Sequence, residues 1–130
     1  MDYNGIVYGL SSIEHTIPIK FTNMAFKLES LLIWQKAFDL TDEIHNNALT
    51  FPKNEMFSLA SEIKRAGDSV VLNIAEGSTG LSNAEFGRFL TIALRSAIEV
   101  AACLMLARKR KYITEDIYSK LYREYEQLCK

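Results

Sequence analysis

The stretch SVVLNIAEGSTGLSNAEF, residues 69–86, decides the fold. Its first half reads as the apolar end of one helix. Gly77 predicts a left-handed stop to that helix. Ser82 and Glu85 then supply the S-x-x-E capping box that opens the next one. Two polar residues, Asn73 and Glu76, interrupt the most apolar part. A helix built for a core has room for them only beside its apolar seam.

Working back from this stretch, the second helix is predicted over residues 55–76. Met56, Ala60, Ile63, Gly67, Val70 and Ile74 recur at spacings of 4, 3, 4, 3 and 4, a bundle-type seam. Gly67 lets a neighbouring helix approach closely. Glu62, Arg65, Ser69, Asn73 and Glu76 form a polar line beside the seam. Such a line either hydrogen-bonds across to a neighbouring helix and fixes its register or lies solvated at an edge.

The first helix is predicted over residues 29–48. Ile33, Ala37, Leu40, Ile44 and Ala48 make its stripe, widened by Leu31, Trp34 and Phe38. Phe51-Pro52 ends it, because the residue before proline avoids the α region. The third helix runs from Ser82 to about residue 109. Across residues 97–107 its only charge is Glu99. A helix so apolar all round is surrounded by protein, which predicts contact with another subunit. The fourth helix starts at Thr114, with Glu115 and Asp116 in its first turn. Its inner stripe is Ile117, Leu121, Tyr125 and Leu128, flanked by Tyr118 and Tyr122. Short links predict antiparallel neighbours. The fold class is all-α, an up-and-down antiparallel four-helix bundle over residues 27–130.

Residues 1–26 differ. Gly5, Gly9, Pro18 and several β-branched residues disfavour a helix there. Ile17, Ile19 and Phe21 alternate as a short strand would. The segment reads as a non-helical extension, with Met24 an alternative start.

The chain has 130 residues, of which 48% are hydrophobic and 24% charged. One ordinary globular domain has this balance. The formal net charge of −1 excludes a global basic field, so nucleic acid would have to meet a local patch. Cys103 and Cys129 lack the spacing of a metal knuckle or disulfide framework. The longest apolar run, residues 100–107, is shorter than the ~20 residues of a membrane span. No basic segment followed by an apolar core opens the chain. These features predict a cytoplasmic protein without membrane partners.

No E-x-x-H pair of a di-metal bundle occurs, and no phosphate-binding G-x-x-x-x-G-K-[ST] loop. His45 reads as an ordinary half-exposed helix residue. No nucleophile and base can be paired, which argues against an enzyme, a cofactor or a metal. The densest charge cluster is Arg108, Lys109, Arg110 and Lys111. It has two readings, cations favourable at a helix C-terminus and a phosphate-contacting patch. Lys64 and Arg65 form a second, weaker basic pair.

LLIWQKAFDL, FPKNEMFSLASEIKRAGDSVVLNIAEGS, EFGRFLTIALRSAIEV and KYI together resemble the four-helix-bundle proteins of 23S rRNA intervening sequences. The related accessory proteins of diversity-generating retroelements share that fold. The resemblance covers residues 28–113 and includes Trp34, Pro52, Asn73, Glu76, Gly77 and Glu99 as signature positions. It implies a homopentameric ring without catalysis, and for the retroelement relatives binding to nucleic acid and to a nucleic-acid-processing protein. It also implies that Asn73 and Glu76 hold the second and third helices in register. The chain departs from the family pattern at Val71, often a proline, at Gly67-Asp68, at Arg95, and at Arg110 within a typical L-G-Y-I turn. The expected function is a non-enzymatic oligomeric scaffold that contacts RNA or another nucleic acid through the basic patch. The alternative is a protein–protein interaction module with no nucleic-acid binding.

Overall fold

The structure, a computed structural model, describes residues 26–79 and 82–130. The expectations for residues 1–25 lie outside the described residues. Four helices follow one another: α1 (Leu32–Ala48), α2 (Leu59–Gly77), α3 (Asn83–Lys109) and α4 (Glu115–Leu128). Short 3-10 turns, Lys27–Ser30 and Lys53–Glu55, precede α1 and α2. Among the described residues there are no strands.

The helices form the expected antiparallel bundle. α2 packs most extensively on α3, then on α1, and α1 and α4 close the ring. The interior is built from most of the predicted stripes. Ile33, Ala37, Leu40 and Ile44 of α1 meet Ile63, Val70 and Ile74 of α2. Ala93, Ala97, Val100 and Leu104 of α3 and Leu121, Tyr125 and Leu128 of α4 complete the core. Burying each large aliphatic side chain contributes about 1.5–3 kcal/mol against the entropy of ordering the chain.

Both expected N-caps are present. The Ser82 hydroxyl accepts from the Glu85 N–H at 3.0 Å, and the Thr114 hydroxyl from the Ile117 N–H at 3.2 Å. The capping oxygen satisfies a donor that the first helical turn leaves open.

Four expectations need correction. α1 begins at Leu32, because Leu31 is extended (φ −85°, ψ 119°). Phe38 does not widen the buried stripe of α1 and is half-exposed. α2 begins at Leu59, and Met56 is exposed rather than on the seam. There residues Lys53–Glu55 form a separate 3-10 turn, and the Glu55 carboxylate accepts from the Ser58 hydroxyl at 2.5 Å and from the Leu59 N–H at 3.4 Å. Gly77 does not adopt the left-handed conformation. Its place is explained by space. A Cβ there would lie 2.8 Å from Phe86 Cδ1 and 2.8 Å from Phe89 Cβ.

The left-handed stop occurs instead at the end of α3, on Lys111 (φ 63°). The Tyr112 N–H donates to the Ala107 carbonyl at 2.8 Å, and the Lys111 N–H to the Arg108 carbonyl at 3.0 Å. This is the paired bonding of a Schellman end, with lysine at the position that glycine favours.

α3 is more apolar along its length than its uninterrupted runs suggest. An 18-residue window within it has a mean hydropathy of 1.8, and by length and composition the helix could cross a membrane. Arg95 and Glu99 break the runs. In this fold the helix lies within the bundle against α2 and α4.

Candidate nucleic-acid interface

The antiparallel arrangement brings the start of α2, the end of α3 and the start of α4 to one end of the bundle. The basic run lies there. Arg108 donates through Nε to Glu115 Oε1 at 2.9 Å and lies 4.5 Å from the centre of the Tyr118 ring. Arg110 donates to Glu55 Oε2 at 3.2 Å, and the Tyr112 hydroxyl donates to the same oxygen at 2.7 Å. Hydrogen bonds from Ser58 and then Tyr112 hold the Glu55 carboxyl below its ordinary range, while the bond to Glu55 pushes the Tyr112 phenol up. Glu55 therefore ties the α3–α4 turn to the start of α2.

Two of the four cations at this end are thus matched by acids. Lys109 and Lys111 are exposed and have no acid partner among the described residues. The patch left for a phosphate consists of these two lysines and the outer donors of two arginines.

Arg65 is already paired within the bundle. Arg65 reaches across from α2 to Glu99 of α3 and also binds Glu62. Glu99 lies ten residues before Lys109 in the sequence. At the rise of an α-helix that separation is roughly 15 Å along the axis. Arg65 is engaged by two carboxylates, of which Glu62 lines the same groove as Arg110. Glu62 and Glu99 are themselves linked. Their hydrogen bond holds Glu62 below and Glu99 above the ordinary glutamate value, and burial adds to the rise at Glu99.

The polar line of α2 continues with the Ser69 hydroxyl, 2.8 Å from that of Ser96 on α3. The Asn73 amide donates to the Ser69 carbonyl at 2.8 Å and to its hydroxyl at 3.0 Å. Asn73 thus reaches α3 only through Ser69. Glu76 is exposed, and its carboxylate makes no hydrogen bond or ion pair with a described residue. Of the other signature positions, Trp34 stacks on Phe38 with ring centres 4.8 Å apart, and Pro52 is exposed.

Sequence reasoning missed a cluster on α1 and α2. Asp68 accepts from the Thr41 hydroxyl at 2.8 Å and lies 3.0 Å from His45 Nε2. The spacing of Thr41 and His45, one helical turn apart, was the available signal. The carboxylate stands between hydroxyl and imidazole. A nucleophilic triad needs the imidazole in the middle, so this order activates no hydroxyl. Burial pushes the Cys103 thiol up to about 11. The thiol therefore stays protonated and is a poor nucleophile at neutral pH. Among the described residues, no group of three or more His, Cys, Asp or Glu could hold a metal ion.

A groove of about 340 Å³ runs between α3 and α4, lined by Ala97, Ile98, Ala101, Met105, Tyr122 and Cys129, with Glu126 at its edge. Ile98, Met105 and Leu106 are exposed on the same helix. Ile98, Ala102 and Met105 recur at spacings of 4 and 3, so they form one outward stripe.

The model of the 23S rRNA-intervening sequence protein family matches residues 29–130. A crystal structure of a protein of unknown function from the S23 ribosomal protein family of Bacteroides thetaiotaomicron VPI-5482 is similar. It is 26% identical, with a TM-score of 0.70, and the match covers 75% of this chain and 92% of that one. No curated protein matches the chain.

Proposed function

This chain belongs to the 23S rRNA-intervening sequence protein family, and from that premise we propose that it is a non-enzymatic, oligomeric scaffold that contacts RNA. The observation behind this reading is that one helix, α3, combines two features. Its outward stripe of Ile98, Ala102 and Met105 is apolar. Its end supplies Lys109 and Lys111 without acid partners among the described residues. The stripe suits contact with further copies of the chain, and the resemblance to ring-forming bundles of retroelements makes five the expected number. Assembly then repeats the two lysines around the ring. Several weak patches gain avidity together. That gain offsets a chain whose net charge is only −1.

The order Thr41–Asp68–His45 and the protonated Cys103 thiol support a role without catalysis. The membership of an rRNA-linked family supports RNA as the ligand.

Two measurements test the reading. Light scattering at micromolar concentration should give a mass near five times 14.8 kDa, and a monomer refutes the scaffold. A filter-binding titration with RNA at two salt concentrations should show affinity falling steeply with salt. Changing Lys109 and Lys111 to Gln should weaken binding for all sequences and flatten that dependence. If low salt gives no binding, the alternative stands: a protein-interaction module, with the apolar α3–α4 groove as its docking face.

A further inference from the structure

Phe57 is 91% exposed, the most exposed of the large hydrophobic side chains described. It stands at the entrance to α2, on the end of the bundle that holds the basic run. Single apolar residues on a surface need no explanation, but the surroundings of this one are specific. Phe57 borders a groove of about 490 Å³ that also includes Ser58, Ser61, Glu62, Leu106 and Arg110. One groove therefore offers an aromatic face, hydroxyl and carboxylate groups, and a guanidinium. The guanidinium keeps further N–H donors after its bond to Glu55. Lys111 lies one residue beyond Arg110, held in a left-handed conformation that disfavours a side chain.

We propose that Phe57 is a stacking platform for an unpaired base of single-stranded RNA, whose flanking phosphates lie on Arg110, Lys109 and Lys111. This rests on the RNA-contact reading above and adds the form of RNA that is recognised. The chemistry follows from the groove. An aromatic face accepts any base, because every base presents a π-face. The Ser61 hydroxyl, which lines the groove, can meet the polar edge of a base. The lysines and arginine meet the backbone. A duplex keeps its base faces inside the stack, so it can engage the cations but not Phe57.

The test uses the full chain and fluorescently labelled oligo(A) of about 20 nucleotides, alone and paired with oligo(U), followed by anisotropy. Wild type should bind the single strand more tightly than the duplex. Phe57→Ala should weaken single-strand binding about 5- to 100-fold, with duplex binding and the oligomer mass unchanged. Phe57→Trp should restore it, and RNA should change the emission of that variant more than that of wild type. If Phe57→Ala binds single strands as wild type does, the platform is refuted while the RNA reading survives. Equal loss on both RNAs with a changed oligomer mass would make Phe57 a subunit contact and also overturn the proposal. If wild type binds neither RNA at low salt, the RNA-contact reading fails and this inference with it.

Discussion

A Cβ at Gly77 would stand 2.8 Å from the Cβ of Phe89, so the last turn of α2 passes almost directly against the second turn of α3. Phe89 Cβ cannot rotate away as the tip of a long side chain could. Gly77→Ala should therefore destabilise the bundle by about 1–3 kcal/mol through overpacking. Gly87 provides the control, since a Cβ there meets nothing within 4 Å. Gly87→Ala should raise stability by about 0.5–1 kcal/mol through helix propensity. Urea melts of both variants check the pair. Equal effects would show that the close approach is absent.

Lys111 predicts the opposite sign for a glycine. Its φ is 63°. That conformation costs a side-chain-bearing residue energy that glycine avoids. Lys111→Gly should keep the bonds to Arg108 and Ala107 and stabilise the fold by about 1 kcal/mol. Thermal melts should shift upward. A downward shift would place the turn in another conformation.

Tyr125 predicts a gain from losing a polar atom. Its hydroxyl is buried with no hydrogen-bond partner among the described residues, and burial raises the phenol's pKa. Tyr125→Phe keeps the ring and removes the unmet group. It should be about 1 kcal/mol more stable than wild type. A loss of similar size in chemical denaturation would reveal a partner for that hydroxyl.

Asn73 is part-buried and bonds within its own helix. Asn73→Ala should therefore cost about 1 kcal/mol. Ser69→Ala removes the link to Ser96 as well. The double variant should lose less than the sum of the two single losses, because both remove the Asn73–Ser69 hydroxyl bond. Strict additivity in a double-mutant cycle would separate the two residues.

Glu99 predicts a pH dependence. Its pKa is raised in the fold by the hydrogen bond with Glu62, so the folded protein holds that proton more tightly than the unfolded chain. This contribution to stability is fully present below the ordinary value of 4.5 and is lost as pH rises through the raised value. Glu99→Gln retains an uncharged partner for Glu62 and Arg65. The stability difference, variant minus wild type, should therefore grow as pH rises from 4.5 through that window. Melts across that range decide it, and a constant difference would exclude the shared proton.

The four helices, most of their apolar stripes and two of their caps were legible in the amino-acid order alone. Those features depend on spacing of 3 and 4 residues and on contacts such as Ser82 with Glu85, all within one or two turns. That order also showed the resemblance to the family. What only the tertiary structure decided depends on partners far apart in the chain. Glu55 and Arg110 are separated by 55 residues, so nothing local foretold that one acid would engage part of the basic run. Arg65 is an apparent patch residue until Glu99 arrives beside it. Gly77 looks like a helix stop in isolation, because glycine suits both a left-handed turn and a close approach. Only the position of Phe89 distinguishes them. Met56 and Phe57 look equally apolar with their neighbours, yet α2 begins only at Leu59 and both stay outside the core. Periodicity specifies which face a helix buries, whereas charge pairing and exposure at the ends are set by how the helices meet.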